Sequence, residues 1–143
     1  MDHLELARAT FNKTWEYLDR DDRSEEDDRE MAAMALASRY HWRQVGEPKN
    51  HSISDWQVSR VFAVLGDAPM ALSFGKACLE TAIEAELAPF YVGFGHEAVA
   101  RAAALAGDAE ERDTHLAEAR KQAAAVEDAE ERRMLTDALG TIA

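Results

Sequence analysis

The segment from Gly93 to Ala98 reads Gly-Phe-Gly-His-Glu-Ala and carries the residue types of two chemical motifs. Its glycines and final alanine match the G-x-G-x-x-A fingerprint of dinucleotide-binding loops, which functions only between a strand and a helix. His96 and Glu97 match the start of the H-E-x-x-H zinc motif, but Ala100 stands where the second histidine is needed. Because Pro89 opens a predicted helix here, the sequence favours a close contact between helices over a cofactor or metal site.

An acidic run from Asp19 to Glu30 has part of the spacing of a calcium-binding loop. Such a loop needs an oxygen ligand at its fifth position and glycine at its sixth. Arg23 and Ser24 occupy these two positions, and a cation inside the cage would repel the metal. We therefore interpret the run as an exposed connector whose last acidic residues favour a helix N-terminus, and we expect no metal or other cofactor.

His41 is the histidine whose position is most open to interpretation. Helical spacing places it on the same face as Met34, Ser38 and Val45, which we predict to point inward. A buried imidazole needs hydrogen-bond partners, so a structural role is the simpler interpretation. The alternative is a ligand-binding pocket in which His41 acts as a base or hydrogen-bonding group beside Arg60 and His96.

Length and charge limit the classes of function. The chain has 143 residues, enough for one domain, and its 16 Lys and Arg against 28 Asp and Glu give a net charge of −12. This charge repels phosphate backbones, so we expect no nucleic-acid partner. Cys78 is the single cysteine, which excludes an internal disulfide. Neither a membrane-spanning run nor a signal peptide is recognisable, so a cytoplasmic location is expected.

Apolar residues recur at helical spacing along the chain, and no alternating strand pattern is present. The pattern predicts about seven helices and an all-α fold. The second helix is predicted to end near Gly46, and the third is predicted to begin at Ser52 or Ser54 after a loop from Glu47 to Ser54. Pro69 and Pro89 are predicted to lie in the first turns of the fourth and fifth helices.

Two Gly-Asp-Ala turns indicate an internal repeat. The turn that begins at Gly66 and the turn that begins at Gly107 are separated by 41 residues. Each follows a strongly apolar predicted helix and precedes an amphipathic one. Stacked helical hairpins are built in this way.

These hairpins resemble tetratricopeptide repeats over about Ser54 to Val126. In the first hairpin, Ser59, Phe62, Ala71 and Cys78 match the motif's small and later aromatic positions, and Trp56 lies within one position of its first aromatic. In the second, Ala100 and Ala119 match, whereas Ala103 and Arg112 depart from the motif. The resemblance implies a short right-handed stack of antiparallel helices. Ser38–Trp42 and Trp56–Gly66 also resemble a pattern in small bacterial proteins, which implies no activity.

We accordingly expect a single helical domain with three parts. Residues 1–46 would form an N-terminal helical hairpin, residues 52–126 two tetratricopeptide-like hairpins, and residues 128–143 a C-terminal capping helix. In repeats that this chain resembles, the first helix of each hairpin lines a concave groove.

The functional expectation is a non-enzymatic module that binds a protein or peptide in this groove, with homodimerisation as a further possibility. The groove residues predicted from the repeat register are Trp56, Arg60, Phe94, Glu97 and Arg101, with Ile53 as an additional apolar anchor. The alternative is a small-molecule site, catalytic or purely binding, between the second, third and fifth helices around His41, Arg60 and His96. A structural spacer or regulatory lobe of a larger complex is a third possibility.

Overall fold

A computed structural model describes all 143 residues and contains seven α-helices and no strand. The all-α prediction is therefore confirmed. The helices are α1 (His3–Leu18), α2 (Glu25–Val45), α3 (Pro48–Val64), α4 (Ala68–Glu84), α5 (Pro89–Ala106), α6 (Ala109–Ala125) and α7 (Ala129–Gly140). None of them combines the length and the apolar character that a bilayer-crossing segment needs.

The two Gly-Asp turns have the same geometry and join α3 to α4 and α5 to α6. Gly66 and Gly107 adopt left-handed conformations with φ of 80° and 78°, which glycine accepts without steric cost. The next residue in each turn, Asp67 or Asp108, then caps the following helix by accepting a backbone hydrogen bond. The 41-residue sequence repeat is thus a repeat of turn and cap structure.

The segment between the second and third helices is helical, so the loop predicted from Glu47 to Ser54 is wrong. Pro48 occupies the first turn of α3. Backbone N–H groups in a first turn have no partner within the helix, so proline loses no hydrogen bond there. The side chain of Asn50 accepts a hydrogen bond from the Glu47 backbone N–H at 3.0 Å and so caps this end. The serines that were predicted caps lie inside α3, where Ser52 donates to the Cys78 carbonyl at 3.1 Å and Ser54 to a carbonyl one turn earlier.

Helices α1 and α2, α3 and α4, and α5 and α6 pack as three successive pairs, and α7 packs on α5 and α6. The first helices of the pairs also contact one another: α3 packs on α5, and Gln57 of α3 donates to the Phe11 carbonyl of α1 at 3.1 Å. The fold therefore places α1, α3, α5 and α7 side by side.

Glycine permits a close approach of α4 and α5. A Cβ atom on Gly95 would lie 2.8 Å from Leu79 Cα, which is backbone and cannot move aside. Gly95 thus belongs to a helix contact, and no strand precedes it as a dinucleotide loop would require.

The acidic connector before α2 is held by its own ion pairs. Arg23 donates to Asp28 at 2.9 Å and to the Tyr17 carbonyl at 3.1 Å. Ser24 and Asp27 form a capping box at the start of α2. Arg23 therefore fixes the connector at the position where a calcium loop would place a ligand.

Candidate functional site

An apolar cavity of about 480 Å³ lies where α1, α3, α5 and α7 meet. Rings from three helices form much of its wall: Trp15 and Trp56 are 5.8 Å apart between centroids, and Trp56 and Phe94 are 5.6 Å apart. Its lining residues are Phe11, Trp15, Ser52, Ile53, Trp56, Arg60, Cys78, Phe90, Tyr91, Phe94, Met134 and Ala138. We call this space the concave cavity.

The 41-residue interval explains why side chains from α1, α3, α5 and α7 meet at the concave cavity or directly behind its wall. Trp15, Trp56, Glu97 and Ala138 follow one another at this interval, and each belongs to one of the four helices that stand side by side. Equivalent positions in stacked hairpins lie on the same face of the stack. The interval therefore extends over the whole chain, beyond the two hairpins in which the turn motif reveals it.

Glu97 is the polar centre behind the cavity wall. Its side chain is 1% exposed and accepts hydrogen bonds from Trp56 Nε1 at 2.7 Å and Arg101 Nε at 2.8 Å. Arg101 also donates from Nη2 to the Ala138 carbonyl at 3.0 Å and to Thr141 Oγ1 at 2.7 Å. One carboxylate thus ties α3 to α5 and, through Arg101, to the end of α7.

Arg60 is bound less completely than Arg101. Its single hydrogen bond within the protein joins Nη1 to Glu97 Oε2 at 3.4 Å, and its guanidinium lies over the Trp56 ring at 5.9 Å. Burial, with the charge of Arg101 as a second cause, lowers the pKa of Arg60 from its ordinary value. Two arginines share one carboxylate, so one positive charge is left over beside the apolar cavity.

A second pocket of about 530 Å³ lies on the other side of Arg60. It runs along the C-terminal halves of α3 and α5, where Val64 and Leu105 are 43% and 44% exposed. The remaining lining residues include Ala63, Ala104, Arg101 and the last three residues of the chain. Arg60 borders both spaces, and we call the two together the concave face.

The structure brings the predicted groove residues together but gives them different roles. Trp56, Arg60 and Phe94 line the concave cavity, as does the predicted anchor Ile53. Glu97 is buried, so it holds its neighbours and offers no surface to a ligand. The side chain of Arg101 is 17% exposed and is bonded on both sides of its guanidinium.

Sequence reasoning missed the walls that come from α1, α7 and the start of α5. These residues are Phe11, Trp15, Phe90, Tyr91, Met134 and Ala138. A sequence signal for Trp15 does exist. Its separation from Trp56 is 41 residues, which equals the separation of the two Gly-Asp turns.

His41, Arg60 and His96 lie in three different places and do not form the predicted pocket. His41 bonds through Nδ1 to His3 Nδ1 at 2.8 Å, and His96 bonds in the same way to His115 at 2.9 Å. Neither His41 nor His96 lines the concave cavity that Arg60 borders. His41 is half-buried, and its hydrogen-bond partner His3 lies on α1, outside the predicted pocket.

Two other buried groups lie near the site. Burial raises the pKa of the Cys78 thiol to about 12, so this lining residue stays protonated near neutral pH. Burial also raises the pKa of Asp55, against the opposing effect of its ion pair with Arg39. No group of three or more histidine, cysteine, aspartate or glutamate side chains is arranged to hold a metal ion.

Comparison with protein-family models, with curated proteins and with solved structures finds no match to this chain.

Proposed function

We propose that this protein is a non-enzymatic binding module whose ligand inserts an apolar group into the concave cavity. The observation that carries the proposal is the cavity itself. Its volume lies in the range of roughly 300–1,000 Å³ that is typical of ligand sites, and most of its lining is apolar or aromatic with one cationic side chain at the edge.

A neutral, polarity-sensitive fluorophore such as prodan tests this proposal. We expect the wild type to enhance prodan fluorescence, and we expect Ala138→Trp to abolish the enhancement by filling the cavity from α7. Thr136→Trp is the matched control, because Thr136 is exposed on the same helix and does not line the cavity. Equal enhancement by both variants would contradict binding in the cavity.

Capture of an extended peptide is a second candidate, favoured by the second pocket. Because Arg60 lies between two concave spaces, a peptide could place an apolar side chain in the concave cavity and continue past Val64 and Leu105. In this proposal the stack is the tetratricopeptide-like groove that the sequence predicts.

Selection from a random peptide library tests the second candidate. Peptides that bind the wild type should lose affinity for Arg60→Glu and keep it for Arg29→Glu, an equal charge change at an exposed site on α2. Equal loss or equal retention in the two variants would contradict peptide binding at Arg60.

A further inference from the structure

Resting on the proposed function, we infer that the ligand of the concave cavity is a small amphipathic monocarboxylate: an apolar body fills the cavity and its carboxylate binds Arg60. The shape of the cavity alone selects for apolar character. The charge at its edge selects the sign and number of the ligand's charges.

The hydrogen bonds of Glu97 show that Arg60 has binding capacity left. Trp56 and Arg101 make the two short bonds to the carboxylate, at 2.7 Å and 2.8 Å, and Arg60 has only the longer one at 3.4 Å. A guanidinium has five N–H donors and pairs best with a carboxylate through two parallel bonds. Four donor positions of Arg60 therefore have no partner in the protein.

The unpartnered N–H donors of Arg60 matter for binding because the side chain is partly buried. The Arg60 side chain is 26% exposed and lies over the Trp56 ring, so water reaches it poorly. Glu97 is shared with Arg101, and the three groups together keep one positive charge. A partly desolvated cation without a full counter-charge is stabilised by an anion that arrives with an apolar body attached.

The charge of the whole chain argues for a single carboxylate on a compact ligand. A net charge of −12 repels polyanions and strongly acidic peptides, whereas one carboxylate costs little long-range repulsion. Arg60 is also the one cationic side chain that lines the cavity, which suits a carboxylate better than a group of higher charge.

Calorimetric titration with decanoate, decanol and decylamine separates the apolar contribution from the charge contribution. We expect decanoate to bind the wild type at least about tenfold more tightly than decanol, because the bond to Arg60 is charge-assisted. Decylamine should bind most weakly, because its ammonium group meets a cation.

Arg60→Met tests the role assigned to Arg60. The variant keeps Trp56 and Arg101 bonded to Glu97, so the fold has no unpaired buried carboxylate. It should bind decanol as the wild type does and lose the preference for decanoate. Arg29→Met, the same charge change at an exposed site, should keep the preference.

Equal affinity of the wild type for decanoate and decanol would overturn this inference and leave the proposed function standing. Retention of the preference in Arg60→Met would also overturn it. Failure of all three compounds to bind would overturn the proposed function as well.

Discussion

At the scale of single residues, Glu97 is the acceptor that joins Trp56, Arg60 and Arg101 at the site. It is almost fully buried, yet it accepts hydrogen bonds from Trp56 on α3 and from Arg60 and Arg101. A buried carboxylate with several charge-assisted bonds positions its neighbours more than it contributes net stability. Its function is therefore to orient Trp56 and Arg60 at the cavity edge.

Glu97→Gln should lower the free energy of unfolding by about 3 kcal/mol, because it leaves two partly buried arginines without a counter-charge. Urea unfolding measures the change. Glu130→Gln is the control: its ion pair with Arg133 is exposed, and its loss should cost no more than about 0.5 kcal/mol. Equal costs in the two variants would contradict the role assigned to Glu97.

Cys78 should resist alkylation in the folded protein. Burial raises the pKa of its thiol to about 12, and iodoacetamide reacts with the thiolate. Mass spectrometry should find the native chain unmodified near pH 8 and the urea-unfolded chain modified once. Rapid modification of the native protein would show that the α4 wall of the cavity opens readily.

At the scale of helices, most of the architecture could be predicted because its signals are local. The sequence Gly-Asp predicts each turn, because glycine accepts the positive φ at the helix end and aspartate caps the next helix. The start of α3 could not be predicted in this way, because Pro48, Asn50 and Ser52 are also common in loops. Pro48 in the first turn and the contact of Asn50 with Glu47 stabilise this start locally, and the bond from Ser52 to the Cys78 carbonyl adds a tertiary contact.

Gly95→Ala should destabilise the protein by about 1–3 kcal/mol, because the added methyl group would lie 2.8 Å from the Leu79 backbone and force α4 and α5 apart. Gly140→Ala is the matched control at the end of α7, where a Cβ meets no atom within 4 Å. It should be neutral or stabilising by up to about 1 kcal/mol. Thermal unfolding of both variants checks this prediction, and equal destabilisation would contradict it.

At the scale of the whole molecule, the concave face results from a 41-residue interval that continues from α1 to α7. Trp56 and Arg60 could be placed there from the register of the first hairpin, and Phe94 from that of the second. The burial of Glu97 could not, because helical spacing does not show that α3 donates a hydrogen bond to α5. The contacts of His41 and His96 could not be predicted either, because their partners, His3 and His115, are distant in sequence.

Stability should fall as the pH decreases below about 7, through the pair of His96 and His115 that joins α5 to α6. Burial lowers the pKa of both from 6.5, and each histidine also faces the other; Glu111, Glu118 and Lys76 are the charged groups nearby. The unfolded chain therefore takes up protons first, and stability present above pH 6.5 is lost as the pH falls toward the folded-state values.

Urea unfolding at about pH 7.5 and 5.5 measures this loss in the wild type and in His96→Gln/His115→Gln. The double variant should lose less stability over the interval. The difference between the two proteins isolates the histidine pair from Asp55, whose raised pKa acts in the opposite direction. Equal losses in the two proteins would contradict the prediction.

The central claim, that the concave cavity with Arg60 at its edge is the binding site, is tested most directly by the indole resonances of the three tryptophans during titration with decanoate. Trp15 and Trp56 line the cavity, and Trp42 does not. Saturable shifts of the Trp15 and Trp56 indole N–H signals with an unchanged Trp42 signal are the predicted result. Absence of shifts, or shifts of Trp42 alone, would contradict the claim.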